Sequence, residues 1–146
     1  MKEHSNCVII SGFPGIGKSH AATVRKDTLD LDSSQFTGYH WEEMYVAAIK
    51  KAYESGDYRI IFISSHSNVR ELMHEKGVPF ICVLPNKSLR NEYMIRYLQR
   101  GSSVAFMHNI RVNWNDWIDR MRNTELCIEL QSGEYVSDVL PFERFA

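Results

Sequence analysis

The sequence lacks most of the features that assign a chain to a class at a glance. No apolar run exceeds about six residues, far short of the ~20 needed to cross a bilayer, so no membrane partner is expected. Cysteine is scarce and odd in number. Cys7, Cys82 and Cys127 show no C-x-x-C spacing, which argues against a disulfide framework or thiolate zinc site and for buried thiols in a reducing compartment. The opening "MKEHSNC" has no apolar core of a secretory signal, so the expected location is cytoplasmic. Neither sign of charge dominates: 17 Lys and Arg against 18 Asp and Glu leave −1. That balance gives no electrostatic ground for a nucleic-acid or acidic-membrane surface as partner. Basic residues gather only around Lys87 to Arg100. Internal repeats, low-complexity tracts and Pro/Ser-rich linkers are missing too, and 146 residues make one domain, 1–146.

What is present is an alternation. "CVIISG" (7–12), "TLDLDSS" (28–34), "YRIIFISSH" (58–66), "FICVLP" (80–85) and "ELCIEL" (125–130) read as strands, apolar enough on both faces for a parallel sheet. Between them, Trp41, Met44, Tyr45, Ala48, Ile49, Ala52 and Tyr53 recur at helical spacing. Val69, Leu72 and Met73 mark a shorter helix with Ser67 as its expected cap and Gly77 as its stop. A third helix is predicted from about Ser88 to Arg100, and a fourth carries Trp114, Trp117, Ile118 and Met121. The spacing of the two tryptophans reads as that of core anchors on one buried helix face, with a base-stacking platform as the alternative. The pattern predicts an α/β sandwich with right-handed crossovers.

One stretch carries explicit chemistry. In "GFPGIGKS", Gly12 is followed by four residues and then Gly17, Lys18 and Ser19. The glycines let the backbone turn so that successive N–H groups face an anion. Lys18 is spaced to reach the β- and γ-phosphates, and Ser19 to ligate Mg²⁺. The expected nucleotide cradle is Gly12, Pro14, Gly15, Ile16, Gly17, Lys18, Ser19 and His20. A strand precedes it and a helix follows, as the motif requires. An acceptor then belongs beyond the carboxyl ends of the neighbouring strands.

Those ends supply candidates. Asp30 and Asp32 share one face of the second strand. They can hold Mg²⁺ through water, bind an acceptor, or take a proton from a hydroxyl; an Asp/Ser-rich turn capping the next helix is the plainer alternative. Asp32, nearer the strand end, is the favoured base and, with Ser19, the expected metal ligand. The third strand ends in Ser64, Ser65 and His66 where an acidic residue would complete a metal site. His66, the only histidine at a predicted strand end, reads as a polar packing residue, with a catalyst as the alternative. Arg70 suits bidentate grip of an acceptor's anion, or else is a solvated surface arginine. Phe36 and Ser65 complete the expected acceptor contacts. After the fourth strand, Arg96 and Arg100 stand four apart on one helical face, with Arg90 on another. Cations around a transferring phosphoryl group are what such catalysis needs; a solvated basic face is the alternative. Gly101, Ser102 and Ser103 suit a hinge, and a lid is expected over about 86–112.

"CVIISGFPGIGKSHAA", "DLDSSQF" and "RYLQRGSSVAF" together resemble small P-loop kinases, an arrangement shared by nucleoside monophosphate kinases, shikimate kinase and gluconate kinase. With "FISSHSNVR" and "LQSGEYVSDVL" added, the chain looks most like small nucleotide-kinase-like proteins encoded by bacteriophages. The resemblance implies a three-layer α/β/α fold with a five-stranded parallel sheet in the order 2-3-1-4-5, ATP as donor, Mg²⁺, a lid bearing Arg96 and Arg100, and Arg70 on the acceptor phosphate. The chain departs from monophosphate kinases in having no arginine from Gln35 to Asp57. Three functions follow as expectations. The first is ATP-dependent phosphorylation of a nucleotide-type acceptor, a (deoxy)nucleoside monophosphate. The second is phosphorylation of a hydroxyl on a nucleoside, polynucleotide end or small metabolite, with Asp32 as base; in either enzyme the expected catalytic residues are Lys18, Asp32, Arg96 and Arg100. The third is an NTP-binding regulatory module with weak turnover.

Overall fold

Ile60 to Ile63 is apolar at every position, and every position is buried, which only a strand covered on both faces allows. It lies second in a five-stranded sheet. The computed structural model, which describes residues 7–139, has strands β1 (Val8–Gly12), β2 (Thr28–Asp30), β3 (Ile60–Ile63), β4 (Ile81–Pro85) and β5 (Cys127–Leu130). All pair in parallel, in the order β2-β3-β1-β4-β5, as expected. The intervening helices are α1 (Lys18–Thr23), α2 (Trp41–Ser55), α3 (Ser67–Glu75), α4 (Arg90–Gln99), α5 (Val104–Thr124) and α6 (Val136–Val139).

The twofold alternation of strand side chains divides the core. Ile9, Ile61 and Ile63 point to one face, where Tyr45, Val46 and Ile49 of α2 and Val69 and Met73 of α3 cover them. Ile10, Ile60 and Phe62 point to the other, against Tyr93 and Tyr97 of α4 and Ile110, Trp114 and Ile118 of α5. Cys7 and Cys82 are buried, and all three cysteines are free.

Three boundaries differ from expectation. The second strand stops at Asp30, because Asp32 caps a 3₁₀ turn, Ser33–Gln35, by accepting from the Ser34 N–H at 3.0 Å. The third strand covers 60–63 only. The third helix already includes Ser67, so His66 occupies the cap position and makes no side-chain cap bond there.

The ends of β2 and β3 are tied by one buried phenol. Tyr45 Oη donates to the Leu31 carbonyl at 2.6 Å and accepts from the Ser64 N–H at 3.0 Å. Ser11 Oγ donates to the Ser64 carbonyl at 3.1 Å, joining the same corner to β1. Tyr45→Phe leaves a buried N–H and a buried carbonyl without this partner. We expect it to lower unfolding free energy by about 1–3 kcal/mol, measured by urea denaturation; a loss below about 0.5 kcal/mol, the usual range of surface changes, would show that the phenol does not hold the strand ends.

Candidate active site

The loop from Gly12 to Ser19 is defined by where its carbonyls go. Gly12 O accepts from Lys18 Nζ at 3.0 Å, Pro14 O from Tyr97 Oη at 2.7 Å, Gly15 O from Arg96 Nη1 at 2.8 Å and Ile16 O from the Val136 N–H at 2.8 Å. Gly17 O starts α1 through the Ala21 N–H at 3.0 Å. Among the described residues, no acceptor takes the N–H groups of Gly15, Ile16, Gly17 or Lys18. A loop with occupied carbonyls and free N–H groups is an anion nest. Gly15 has φ +91°, and a Cβ there would stand 2.9 Å from Tyr97 Cε1; only glycine fits both the backbone and the gap. At Gly12 a Cβ would meet Lys18 Cδ at 2.6 Å.

Lys18 sits in this nest half-buried. Desolvation pushes its ammonium down to about 8, with Asp30 pulling upward, Arg100 adding to the depression and Asp32 opposing it. Ser19 Oγ donates to Asp30 Oδ2 at 2.9 Å. This hydroxyl and carboxylate are hard oxygen donors of the kind Mg²⁺ takes, alongside waters and phosphates, so the residues fit that ion. The expected Ser19/Asp32 pairing is replaced by Ser19/Asp30. Both Asp32 oxygens are engaged by Ser34, through its N–H at 3.0 Å and its Oγ at 2.9 Å, which is the turn-capping alternative.

Beside the nest a cavity of about 430 Å³ opens between the ends of β1 and β3 and the flank of α5. Gly12, Pro14 and Lys18 form one wall; Ser65, His66 and Arg70 lie in the β3–α3 wall. Asp30, Asp32 and Phe36 are outside it. Phe36 packs on Tyr45 instead, with ring centroids 5.2 Å apart. Partial desolvation lowers the pKa of His66, with Asp32 pulling it the other way. Arg70 is buried and committed. Its Nη1 donates to Glu125 Oε2 at 2.9 Å and to Thr124 Oγ1 at 3.0 Å, and its Nε to the Ser65 carbonyl at 3.2 Å. Neither of the two expected roles, acceptor clamp or solvated surface group, describes this ion pair.

The two lid arginines part company. Arg96 bonds Gly15 O and the Glu134 carbonyl and lies between the rings of Tyr93 and Tyr135, at 4.3 and 4.0 Å. It is a structural clamp. Arg100 is exposed at the end of α4, its Nε on Ser102 Oγ at 3.0 Å, and its charge reaches Lys18. Arg90 is exposed at the first turn of α4. Ile16 is buried, and His20 is exposed on α1. The third wall of the cavity is Phe106, Asn109, Trp117 and Arg120 of α5, which the sequence pattern does not mark as a site. Trp114 is a core residue as expected, but Trp117 is half-buried on the cavity side. A three-residue offset rotates a helix position by about 60°, enough to separate core from rim.

No family model and no curated protein matches this chain. Among solved structures, the tunicamycin resistance protein of Deinococcus radiodurans is similar over 96% of this chain and 94% of its own, with TM-score 0.60 at 15% identity. The likeness is one of fold: a five-stranded parallel sheet between helices, with the phosphate loop after its first strand.

Two outcomes are expected from these charges. Lys18→Met removes the ammonium of the nest and should not lower stability at neutral pH. An unfolded Lys18 holds its proton up to the ordinary 10.5 and the folded one only to about 8, so this residue makes wild-type stability rise with pH across that window; the rise should be absent in the variant, and a variant less stable at pH 7 would refute a buried, disfavoured charge. Arg70→Met removes the buried charge partner of the Glu125 carboxylate, whose side chain is 4% exposed, and leaves it only Thr124 Oγ1 at 3.1 Å and the exposed His74 ring at 2.7 Å. It should cost about 3–5 kcal/mol in urea unfolding, largely restored by adding Glu125→Leu; a silent Arg70→Met would show the pair is not structural.

Proposed function

We propose that this protein is an ATP-dependent phosphotransferase acting on a hydroxyl of a small acceptor held in the cavity beside the phosphate loop. The observation that carries this reading is that Gly12, Pro14 and Lys18 of the nest form a wall of that cavity, so that a γ-phosphoryl group in the nest faces whatever occupies it. The similarity to a tunicamycin resistance protein supports a small-molecule acceptor. Between the two acceptor chemistries, the ion pair favours the hydroxyl. A monophosphate needs an uncompensated cation, and Arg70 is already neutralised by Glu125. A nucleoside hydroxyl needs a proton acceptor instead.

In this reading the free N–H groups of Gly15 to Lys18 and the Lys18 ammonium hold the triphosphate. Ser19 and Asp30 would hold Mg²⁺, which would supply positive charge against that developing on the phosphates. Arg100 approaches from α4. The acceptor oxygen attacks the γ-phosphorus, the bond to the β–γ bridging oxygen breaks, and ADP leaves with that electron pair. The hydroxyl proton passes to a ring nitrogen of His66, which lines the cavity and whose lowered pKa keeps it unprotonated at pH 7. Asp32, spent on its turn, is the lesser candidate.

The test is ADP formation against nucleosides, nucleoside monophosphates, oligonucleotide ends and small polyols, followed by a pH profile with the acceptor found. Turnover should hold from pH 8 to 7 and fall on an acid limb whose midpoint lies below the ordinary 6.5 of histidine. His66→Gln should reduce kcat by ~10²–10⁴ and flatten that limb. Stimulation by monophosphates alone would return the acceptor to the phosphate class, and an unchanged profile in His66→Gln would remove His66 as base.

A further inference from the structure

Resting on the kinase reading above, we propose that α5 is the acceptor-recognition helix and that the acceptor is a nucleoside, its planar ring seated on Trp117. Two tryptophans one turn apart on α5 have different fates. Trp114 is fully buried, and its indole N–H donates to the Lys87 carbonyl at 2.8 Å. Trp117 is half-buried in the cavity wall, and its indole N–H has no partner among the described residues. A tryptophan with one face in the core and one face and its polar edge in a cavity is a stacking and hydrogen-bonding surface.

The rest of α5 agrees. Phe106, Asn109, Trp117 and Arg120 line the cavity from one side of the helix. Phe106 is held edge-on by Tyr97, centroids 5.2 Å apart, and Tyr97 in turn bonds Pro14 O. That puts Phe106 at the phosphate end. Trp117 lies eleven residues further along α5, about 16 Å at 1.5 Å per residue, beside Arg120 and Met121 at the far end. The acceptor therefore meets a polar β3–α3 wall along its length and an aromatic face at its distal end. Asn109 Oδ1 is taken by Asn113 Nδ2 at 3.0 Å, leaving the Asn109 amide N–H groups as donors between the two ends. A cavity of about 430 Å³ is in the range that encloses ligands of drug size. A three-carbon polyol would leave most of it empty and the Trp117 face uncovered. Arg120, whose Nε bonds Asp116 at the surface at 3.2 Å, is an exposed cation at the rim able to reach a ring carbonyl.

The experiment is calorimetric titration of the whole protein with the common ribo- and deoxynucleosides, and with glycerol and gluconate as ring-free hydroxyl compounds, none of which requires turnover. At least one nucleoside should bind saturably and the ring-free compounds should not. Trp117→Ala should weaken that nucleoside at least tenfold and Trp117→Phe much less, with ATP affinity unchanged in both. Should Trp117→Ala fail to fold, transferred nuclear Overhauser effects in the wild type should connect the nucleoside's ring protons to an indole N–H that disappears in Trp117→Phe. Nucleoside binding indifferent to Trp117, or saturable binding of the ring-free compounds alone, overturns the proposal. Nucleoside binding at Trp117 with no phosphoryl transfer from ATP sustains this site and sinks the kinase reading; transfer to a ring-free acceptor in Trp117→Ala does the reverse.

Discussion

Three helices of this protein, α1, α4 and α6, direct four donors at one short loop. The Lys18 ammonium, the Tyr97 hydroxyl, the Arg96 guanidinium and the Val136 N–H each hold one loop carbonyl. A peptide whose carbonyl is held outward turns its N–H inward, so these bonds set the polarity of the nest. The helix behind it, α1, has only six residues and adds little dipole of its own. The rest of the molecule can be read as what keeps those donors in place. Tyr93 and Tyr97 are fixed by the aromatic cluster with Phe13 and Trp114, and β5 brings the segment containing Glu134, Tyr135 and Val136 over the loop. Glu92 secures that segment by accepting from the Gly133 N–H at 2.8 Å and Ser132 Oγ at 2.6 Å.

The same constraint explains what was legible in the sequence. Strands, helices and sheet order follow from local periodicity and crossover handedness, and the phosphate loop from fixed spacing; these were readable. The roles of individual charged groups were not. Arg96 and Arg100 look equivalent as i, i+4 neighbours, yet one lies between Tyr93 and Tyr135 and the other is exposed. Arg70 was read without its partner, because Glu125 is fifty-five positions away and no local pattern links the two. Asp30 and Asp32 share a face only if the strand runs on. It stops at Asp30, and a one-turn 3₁₀ segment diverts Asp32 to Ser34. Trp117 shows the limit of periodicity differently, since a stripe predicts which side of a helix turns inward but not whether that side meets core or cavity.

These differences shift the chemistry in one direction. Arginines that would meet an acceptor's phosphate are absent from Gln35 to Asp57, neutralised at Arg70, or locked under the loop at Arg96. In the nest, Arg100 adds its charge to that of Lys18, while Arg120 on the α5 side of the cavity is paired with Asp116. In the proposed reading the cavity then separates into an anion-binding wall for the donor and a polar, partly aromatic space for the acceptor. That division suits transfer to a neutral hydroxyl compound better than transfer between two anions.

The free N–H groups of Gly15 to Lys18 and the Lys18 ammonium make the nest complementary to a polyphosphate anion. Burial of an ammonium without a fixed carboxylate partner is unfavourable, and the depressed pKa of Lys18 expresses that cost. Titration of the Lys18 Nζ resonance by nitrogen-15 NMR, with Lys18→Met to assign it, tests this complementarity directly. The account predicts a midpoint near 8 in the free protein, moving up past the titration range once Mg²⁺ and a non-hydrolysable ATP analogue are added. An ordinary lysine midpoint in the free protein, or one unmoved by the analogue, would contradict it.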